Sequence, residues 1–356
     1  MKRKALIAIS SVVLLGLAFY GSSQARTIAP GLKVGVLISS SGPLYFAGGF
    51  QKAAAELAKK DLAKITNLEI SYQDPGDSEM ETENALKIIA KNKVDLILAP
   101  IDSAAVKRVL AAKELPDVPL IATSSVSENL SKDKKLLRLA STVSQDSFAL
   151  AKYISKQDQK NVAVVAAQDE YSKSVARSVS FALSLRSVRV KTHFFSQNQA
   201  LRGINAEALV LVSMEQSADL LAKLPYWLAS FDRVYLVPGN LANYSSFGFA
   251  KDLAGATGLL PAEEHSQYFR QRLASQMGRP EILSAPNSPM FGLAKRTYQA
   301  LALAADQLSQ ANDLSGLAKN DLFTAEVFYA KPRYSVVRYS NGGVYSVVAS
   351  FDPKIP

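Results

Sequence analysis

Short apolar runs of strand length alternate along this chain with segments whose apolar residues recur at helical spacing, and that alternation narrows the choice of folds most. "KVGVLI" (33–38) leads into "GGFQKAAAELAKKDLAKI", where Phe50, Ala54, Leu57 and Leu62 share one helical face. "NLEISYQD" (67–74) alternates as a strand. It precedes "SEMETENALKIIAKN", which gathers acids in its first turns and lysines near its end, as a helix dipole favours. "VDLILAP" (94–100) and "VPLIATSS" (118–125) read as buried strands on either side of a helix in "SAAVKRVLAAKEL". A βαβαβαβ succession implies a parallel sheet covered on both faces.

The pattern restarts after Tyr153. "NVAVVAA" (161–167), a helix over "SKSVARSVSFALSL", "VRVKTHFF" (188–195), "EALVLVS" (207–213), a helix over "SADLLAKL" and "RVYLVPG" (233–239) make a second unit of similar size. A long helix over 289–310 then precedes two alternating strands joined at Asn341-Gly342-Gly343, a hairpin signal. The expected fold class is α/β, with two Rossmann-like lobes in tandem.

Lys2, Arg3 and Lys4, an apolar run from Ala5 to Tyr20 and a small-x-small ending at Ser23 and Ala25 read as a secretory signal peptide over residues 1–25. Cleavage after Ala25 would deliver the chain to the periplasm; a membrane anchor is the rival reading of the same run. The chain has no cysteine, so lipid attachment at a lipobox is excluded and stability rests on packed cores rather than disulfides. Removal of residues 1–25, with three cations and no acid, would leave 331 residues and a net charge of +7 in place of +10. Lysines and arginines are scattered among acids without a long basic block, which argues against nucleic acid and for solubility with a bias towards anionic partners.

In parallel α/β sheets ligands bind beyond the carboxyl ends of the strands. Those ends read "SSSGP" (39–43), "IDSAA" (101–105) and "TSSVS" (123–127), each setting hydroxyls beside the unpaired N–H groups of a helix start. Any one of these loops is equally an ordinary N-cap. Their recurrence at three neighbouring strand ends points to a grip on a small anion, most simply a carboxylate. Neither G-x-G-x-x-G nor G-x-x-x-x-G-K-[ST] occurs, so no phosphate cofactor is expected. Of the two histidines, His193 lies in a strand. His265 follows Glu263 and Glu264 too closely for all three to reach one metal. With no G-x-S-x-G elbow and no cysteine, the chain reads as a binder and not an enzyme.

"SSGPLYFAG", "DPGDSEMETENALKIIAKNKVDLILAP" followed by "DSAAV", "VPLIATSS", "DEYSKSVARSVSFAL" and "GRPEILSAPNSPMFGLAKRTYQALALAADQL" together resemble the periplasmic leucine/isoleucine/valine-binding proteins, type I solute-binding proteins of ABC importers. The resemblance implies two lobes joined by a three-crossover hinge, residues 32–144 plus 264–324 and residues 145–262 plus 325–356. It also implies a small organic solute and an ABC permease in the inner membrane as partners.

Carried over by position, the resemblance puts Ser103 on a ligand carboxylate, with Ser41 in the first loop beside it. Ser124, Ser125 and Val126 fall on the loop that supplies backbone groups, Val126 standing where the family has a threonine and Ser127 near enough to compensate. Tyr171 matches the second-lobe tyrosine that packs over the ligand. Tyr45 and Phe46, with Tyr244 and Phe247, are candidates for an aromatic wall, and Trp227 reads as second-lobe packing. Where the family places an acid for the ligand ammonium this chain has Gly239 and Asn240, with Glu215 a candidate substitute. A buried ammonium without a carboxylate is costly, so an amide, a short carboxylic acid or an aromatic acid is expected over a plain branched amino acid. The alternative is an envelope interaction protein that keeps this fold with a degenerate cleft and binds a protein partner.

Overall fold

The computed structural model describes residues 29–41, 44–124, 129–130, 133, 135–194, 204–212, 230–237, 254–261, 266–284, 288–311, 313–314, 316–317, 334–339 and 345–351. The leader expected over 1–25 and the hairpin turn at 341–343 lie outside them.

Two sheets organise the chain. The first holds β1 (Ala29–Leu37), β2 (Thr66–Gln73), β3 (Leu96–Leu98), β4 (Leu120–Ala122) and β5 (Leu136–Arg138) in the order β2-β1-β3-β4-β5, all parallel. The second holds β6 (Asn161–Ala166), β7 (Arg189–Phe194), β8 (Ala208–Val212), β9 (Arg233–Leu236), β10 (Thr257–Pro261), β11 (Tyr334–Tyr339) and β12 (Tyr345–Phe351) in the order β12-β11-β10-β9-β8-β6-β7. Strands β6 to β10 pair in parallel, and β11 and β12 add an antiparallel edge. The expected α/β class with two lobes is borne out. Strands β5 and β10 are additions to the sequence reading.

Helices cover both faces of the first sheet. α1 (Tyr45–Leu62) and the late α7 (Pro289–Ala311) share one core with β1, in which Val34, Val36, Leu96, Ala55, Ala58, Leu301 and Ala304 are buried. On the other face α2 (Glu79–Lys91) and α3 (Ser103–Ala111) bury Leu86, Ile89, Val106 and Val109 against Leu37, Ile97 and Leu120. Both faces of β1 are therefore apolar. Gly35 is the gap in its pattern because a Cβ there would come within 2.9 Å of Ile89, so α2 can sit close only against glycine.

The second sheet packs on α4 (Val143–Ser155) and α5 (Glu170–Ser184), whose Leu150, Ile154, Val175 and Val179 join Val164, Val210, Tyr235 and Val336 in one core. Helix starts are closed by their own side chains: Ser78 with Glu81 and Thr142 with Gln145 form capping boxes, and Asp102 and Asp169 cap α3 and α5. α6 (Gln267–Met277) lies against α1 and ends at Gly278, whose left-handed φ of 64° suits glycine.

Candidate functional site

Strand order reverses between β1 and β3 in the first sheet, and between β6 and β8 in the second. Loops leaving two such strands diverge and open a crevice between them, the position where α/β sheets hold ligands. In the first sheet that crevice lies between the loop after β1 and the start of α3.

The loop after β1 is held from below. Asp74, just past β2, accepts at one carboxylate oxygen from the Ser40 N–H at 2.9 Å, the Ser40 hydroxyl at 2.6 Å and the Ser41 hydroxyl at 3.2 Å. Its other oxygen accepts from Gly76 N–H at 3.0 Å. Burial pushes this carboxyl up, but the bonds from Ser40, Gly76 and Ser41 outweigh it and hold the group below the usual carboxylate range. α1 presses on the same loop at Gly48, where a Cβ would stand 2.1 Å from the Ser39 carbonyl oxygen.

Ser103 opens α3 and is 2% exposed, immediately after the capping Asp102, which accepts from Ala105 N–H at 2.7 Å. Burial raises the Asp102 carboxyl, against the opposing effects of the Ala105 N–H and Arg108. The loop after β4 is tied in turn. Ser124 donates its hydroxyl to the Ile101 carbonyl at 2.7 Å, and Arg296 of α7 donates through Nε to the Thr123 carbonyl at 2.6 Å. A serine hydroxyl has one proton to give, so those of Ser40, Ser41 and Ser124 are already committed within the protein. The backbone N–H groups at the helix starts on this side are donors that a bound anion could use.

Across from α3, the start of α5 is capped by Asp169, which accepts from Ser172 N–H at 2.8 Å; its second carboxylate oxygen is buried with no hydrogen-bond partner among the described residues. Glu170 reaches Lys107 of α3 at 3.7 Å, so the two helices that flank the crevice from different sheets meet there. Tyr171, expected over the ligand, is 6% exposed and belongs to the core beneath α5 with Val175 and Val212.

The structure thus gathers Ser41, Ser103 and Ser124 at strand ends of the first sheet and sets Tyr171 in the second. Tyr45 is 51% exposed and, with Phe46, Lys52, Met277 and Arg279, lines a separate cavity of about 260 Å³ between α1 and α6. Ser125, Val126, Ser127, Glu215, Gly239, Asn240, Trp227, Tyr244, Phe247 and the segment Glu263 to His265 lie outside the described residues. His193 is in β7, where burial lowers its pKa. Among the described residues no cluster of histidine, aspartate and glutamate could hold a metal, and no helix is long and apolar enough to cross a membrane.

Sequence reasoning missed Asp74 and Arg296. Asp74 lay inside the quoted "DPGDS", but nothing local reveals a bond to serines more than thirty residues earlier.

The sequence profile described as "Periplasmic binding protein" matches residues 31–219. Among solved structures, a leucine-binding protein, LivK, of Thermotoga maritima superposes with a TM-score of 0.70 at 15% identity, covering 90% of this chain and 99% of that one. LivJ of Streptococcus pneumoniae, in complex with isoleucine, gives 0.66 at 16% identity, with 90% and 99% covered. An ABC-transporter solute-binding protein of R. palustris, in complex with benzoate, gives 0.67 at 12% identity, with 90% and 96% covered. No curated protein matches the chain in sequence.

Proposed function

The chain belongs to the periplasmic binding protein family, and from that membership we propose that it is the solute-binding component of an ABC importer, holding a small carboxylate between two lobes that close on a hinge. The observation that carries this reading is the placement of two capped helix N-termini, those of α3 and α5, after strands at the switch points of the two sheets, with Lys107 of α3 3.7 Å from Glu170 of α5. Leucine, isoleucine and benzoate, the ligands named for the relatives, share a carboxylate.

In this reading the lobes are 32–144 plus 264–324 and 145–262 plus 325–356. The carboxylate meets Ser103 and the backbone of the loops after β1 and β4, including Ser41 and Ser124 to Val126. On this reading Tyr171 and the second-lobe loops that carry Glu215, Gly239 and Asn240 then close over the ligand. Closure follows only from contacts that exist in the closed form, and an inner-membrane permease reads that form. The ligand passes on chemically unchanged, and the chain works in the periplasm after cleavage behind Ala25.

Supporting the choice of an amide, short acid or aromatic acid over a branched amino acid is the glycine and asparagine at 239 and 240 where an acid would hold an ammonium. A thermal-shift panel of amino acids, amides, aliphatic acids and benzoates tests this. A true ligand at a large excess over its Kd raises the unfolding temperature by several degrees, because it stabilises the folded state by about 3–4 kcal/mol.

One observation favours a second reading, a regulator in the envelope with a degenerate cleft. The hydroxyl protons of Ser40, Ser41 and Ser124 are bonded inward. No shift across the panel, together with a protein that co-purifies stoichiometrically, would decide for it.

A further inference from the structure

α5 buries one face, through Tyr171, Ser172, Val175, Ala176, Val179, Ala182 and Leu183. Its opposite face carries Lys173, Arg177, Phe181, Ser184 and Leu185, which fall together at helical spacing. A solvent face is ordinarily polar, yet Phe181 is 59% and Leu185 61% exposed. Phe148 of α4 stands edge-on to Phe181 with ring centres 6.3 Å apart, and the Arg186 guanidinium lies 5.6 Å over the Phe148 ring while donating to the Ala182 carbonyl at 2.7 Å. Beside this ridge runs β7, the last strand of its sheet, with Arg189, Lys191 and Phe194 exposed.

The charge here has one sign. From Tyr171 to Phe194 the chain has Lys173, Arg177, Arg186, Arg189 and Lys191 and no aspartate or glutamate. The acid at the helix start, Glu170, is engaged by Lys107. Charges on an edge strand guard against strand pairing, which accounts for Arg189 and Lys191 but not for exposed Phe181 and Leu185.

We propose that the outward face of α5 with the β7 edge is a docking surface for an anionic phospholipid bilayer. Apolar side chains flanked by cations on long stems suit the headgroup boundary, where rings and leucine sink below the phosphates that the cations pair with. A helix ridge is convex, and a lipid surface deforms around it where a rigid protein partner would need a matching groove. Anchored there, the protein stays at the membrane whether or not its cleft is filled.

The absence of cysteine makes the test site-specific. Ser184→Cys in the full chain, labelled with nitrobenzoxadiazole, reports from the ridge, and Asn84→Cys on α2 of the other lobe is the control; both positions are exposed. Vesicles of phosphatidylglycerol and phosphatidylcholine should blue-shift the dye at 184 and leave that at 84 unchanged. Pure phosphatidylcholine should do neither, and about 0.5 M salt should reverse the shift by shortening the screening length. Adding Phe181→Ser and Leu185→Ser should weaken the response by about tenfold or more through the lost apolar burial. An unresponsive dye at 184, equal responses at both positions, or a response to polyglutamate but not to vesicles would overturn the proposal, the last assigning the ridge to an acidic protein.

Discussion

Tyr334 donates its hydroxyl to one carboxylate oxygen of Asp146 at 3.0 Å, across 188 residues of chain. Ser141 donates to the other oxygen at 2.9 Å, and all three side chains are buried. Ser141 follows the last strand of the first sheet, Asp146 lies in the first turns of α4, and Tyr334 opens β11 opposite Pro261, the end of β10. One buried carboxylate therefore ties the start of α4, which follows the first sheet, to the start of β11 in the second.

That arrangement makes Tyr334→Phe a clean perturbation, since it removes a donor and keeps the ring. Stability should fall by roughly 1–3 kcal/mol, the range for depriving a buried charged acceptor of a hydrogen bond. Urea unfolding measures it, and an unchanged midpoint would show that the contact contributes nothing to the junction.

Gly48 and Gly49 are adjacent in α1 and should respond in opposite senses. An alanine Cβ at 48 would meet the Ser39 carbonyl oxygen at 2.1 Å, a backbone atom with nowhere to go, so Gly48→Ala should destabilise by about 1–3 kcal/mol or more. At 49 the nearest atom is the end of Met277 at 3.9 Å, and Gly49→Ala should stabilise by up to about 1 kcal/mol through helix propensity. Denaturant midpoints of the two variants on opposite sides of the parent would bear this out.

These glycines also mark how far the sequence could be read. The alternation of apolar runs and helical faces found β1 to β4, β6 to β9, the β11–β12 pair and helices α1, α2, α3, α5 and α7, most of which bury a continuous or periodic apolar set, whereas the edge strand β7 was legible from its alternation alone. β5 escaped because it is three residues, Leu136 to Arg138, behind a charged stretch, and β10 because Gly258 and Pro261 disguise it. α4 carried a legible signal in Thr142 and Gln145 that was overlooked. The strand ends that carry Ser41, Ser103 and Ser124 were legible as such. What local pattern could not convey was that the serines there bond inward, since Asp74 and the Ile101 carbonyl reach them only through tertiary pairing.

The two carboxylates beside the crevice should shape acid stability with opposite signs. Asp74 is depressed, so its contribution is present above its unfolded pKa near 3.8 and is lost as pH falls through the lower folded value. Asp74→Asn should therefore destabilise at neutral pH, with the gap to the parent closing below about pH 4. Asp102 is raised, so the folded state holds its proton more tightly, and stability falls as pH climbs from 3.8 through the higher folded value. Asp102→Asn retains a good N-cap and should flatten that fall. Unfolding midpoints between about pH 3 and 6 separate the two variants.

Ser103 and Ser124 both stand at strand ends of the first sheet, after β3 and β4. Ser124 already donates to the Ile101 carbonyl at 2.7 Å, so its removal chiefly loosens a loop. Ser103 begins the helix whose N-terminus faces the crevice and, on the proposed reading, takes the ligand carboxylate directly. With a ligand found in the thermal-shift panel, Ser103→Ala should weaken binding by roughly 1–3 kcal/mol, the effect of losing a hydrogen bond to a charged group. Ser124→Ala should change it by less. Calorimetry on both variants reads the difference directly: equal losses would mean the loop as a whole, and not the Ser103 hydroxyl, holds the carboxylate. Unchanged affinity in both would move the site away from the first sheet.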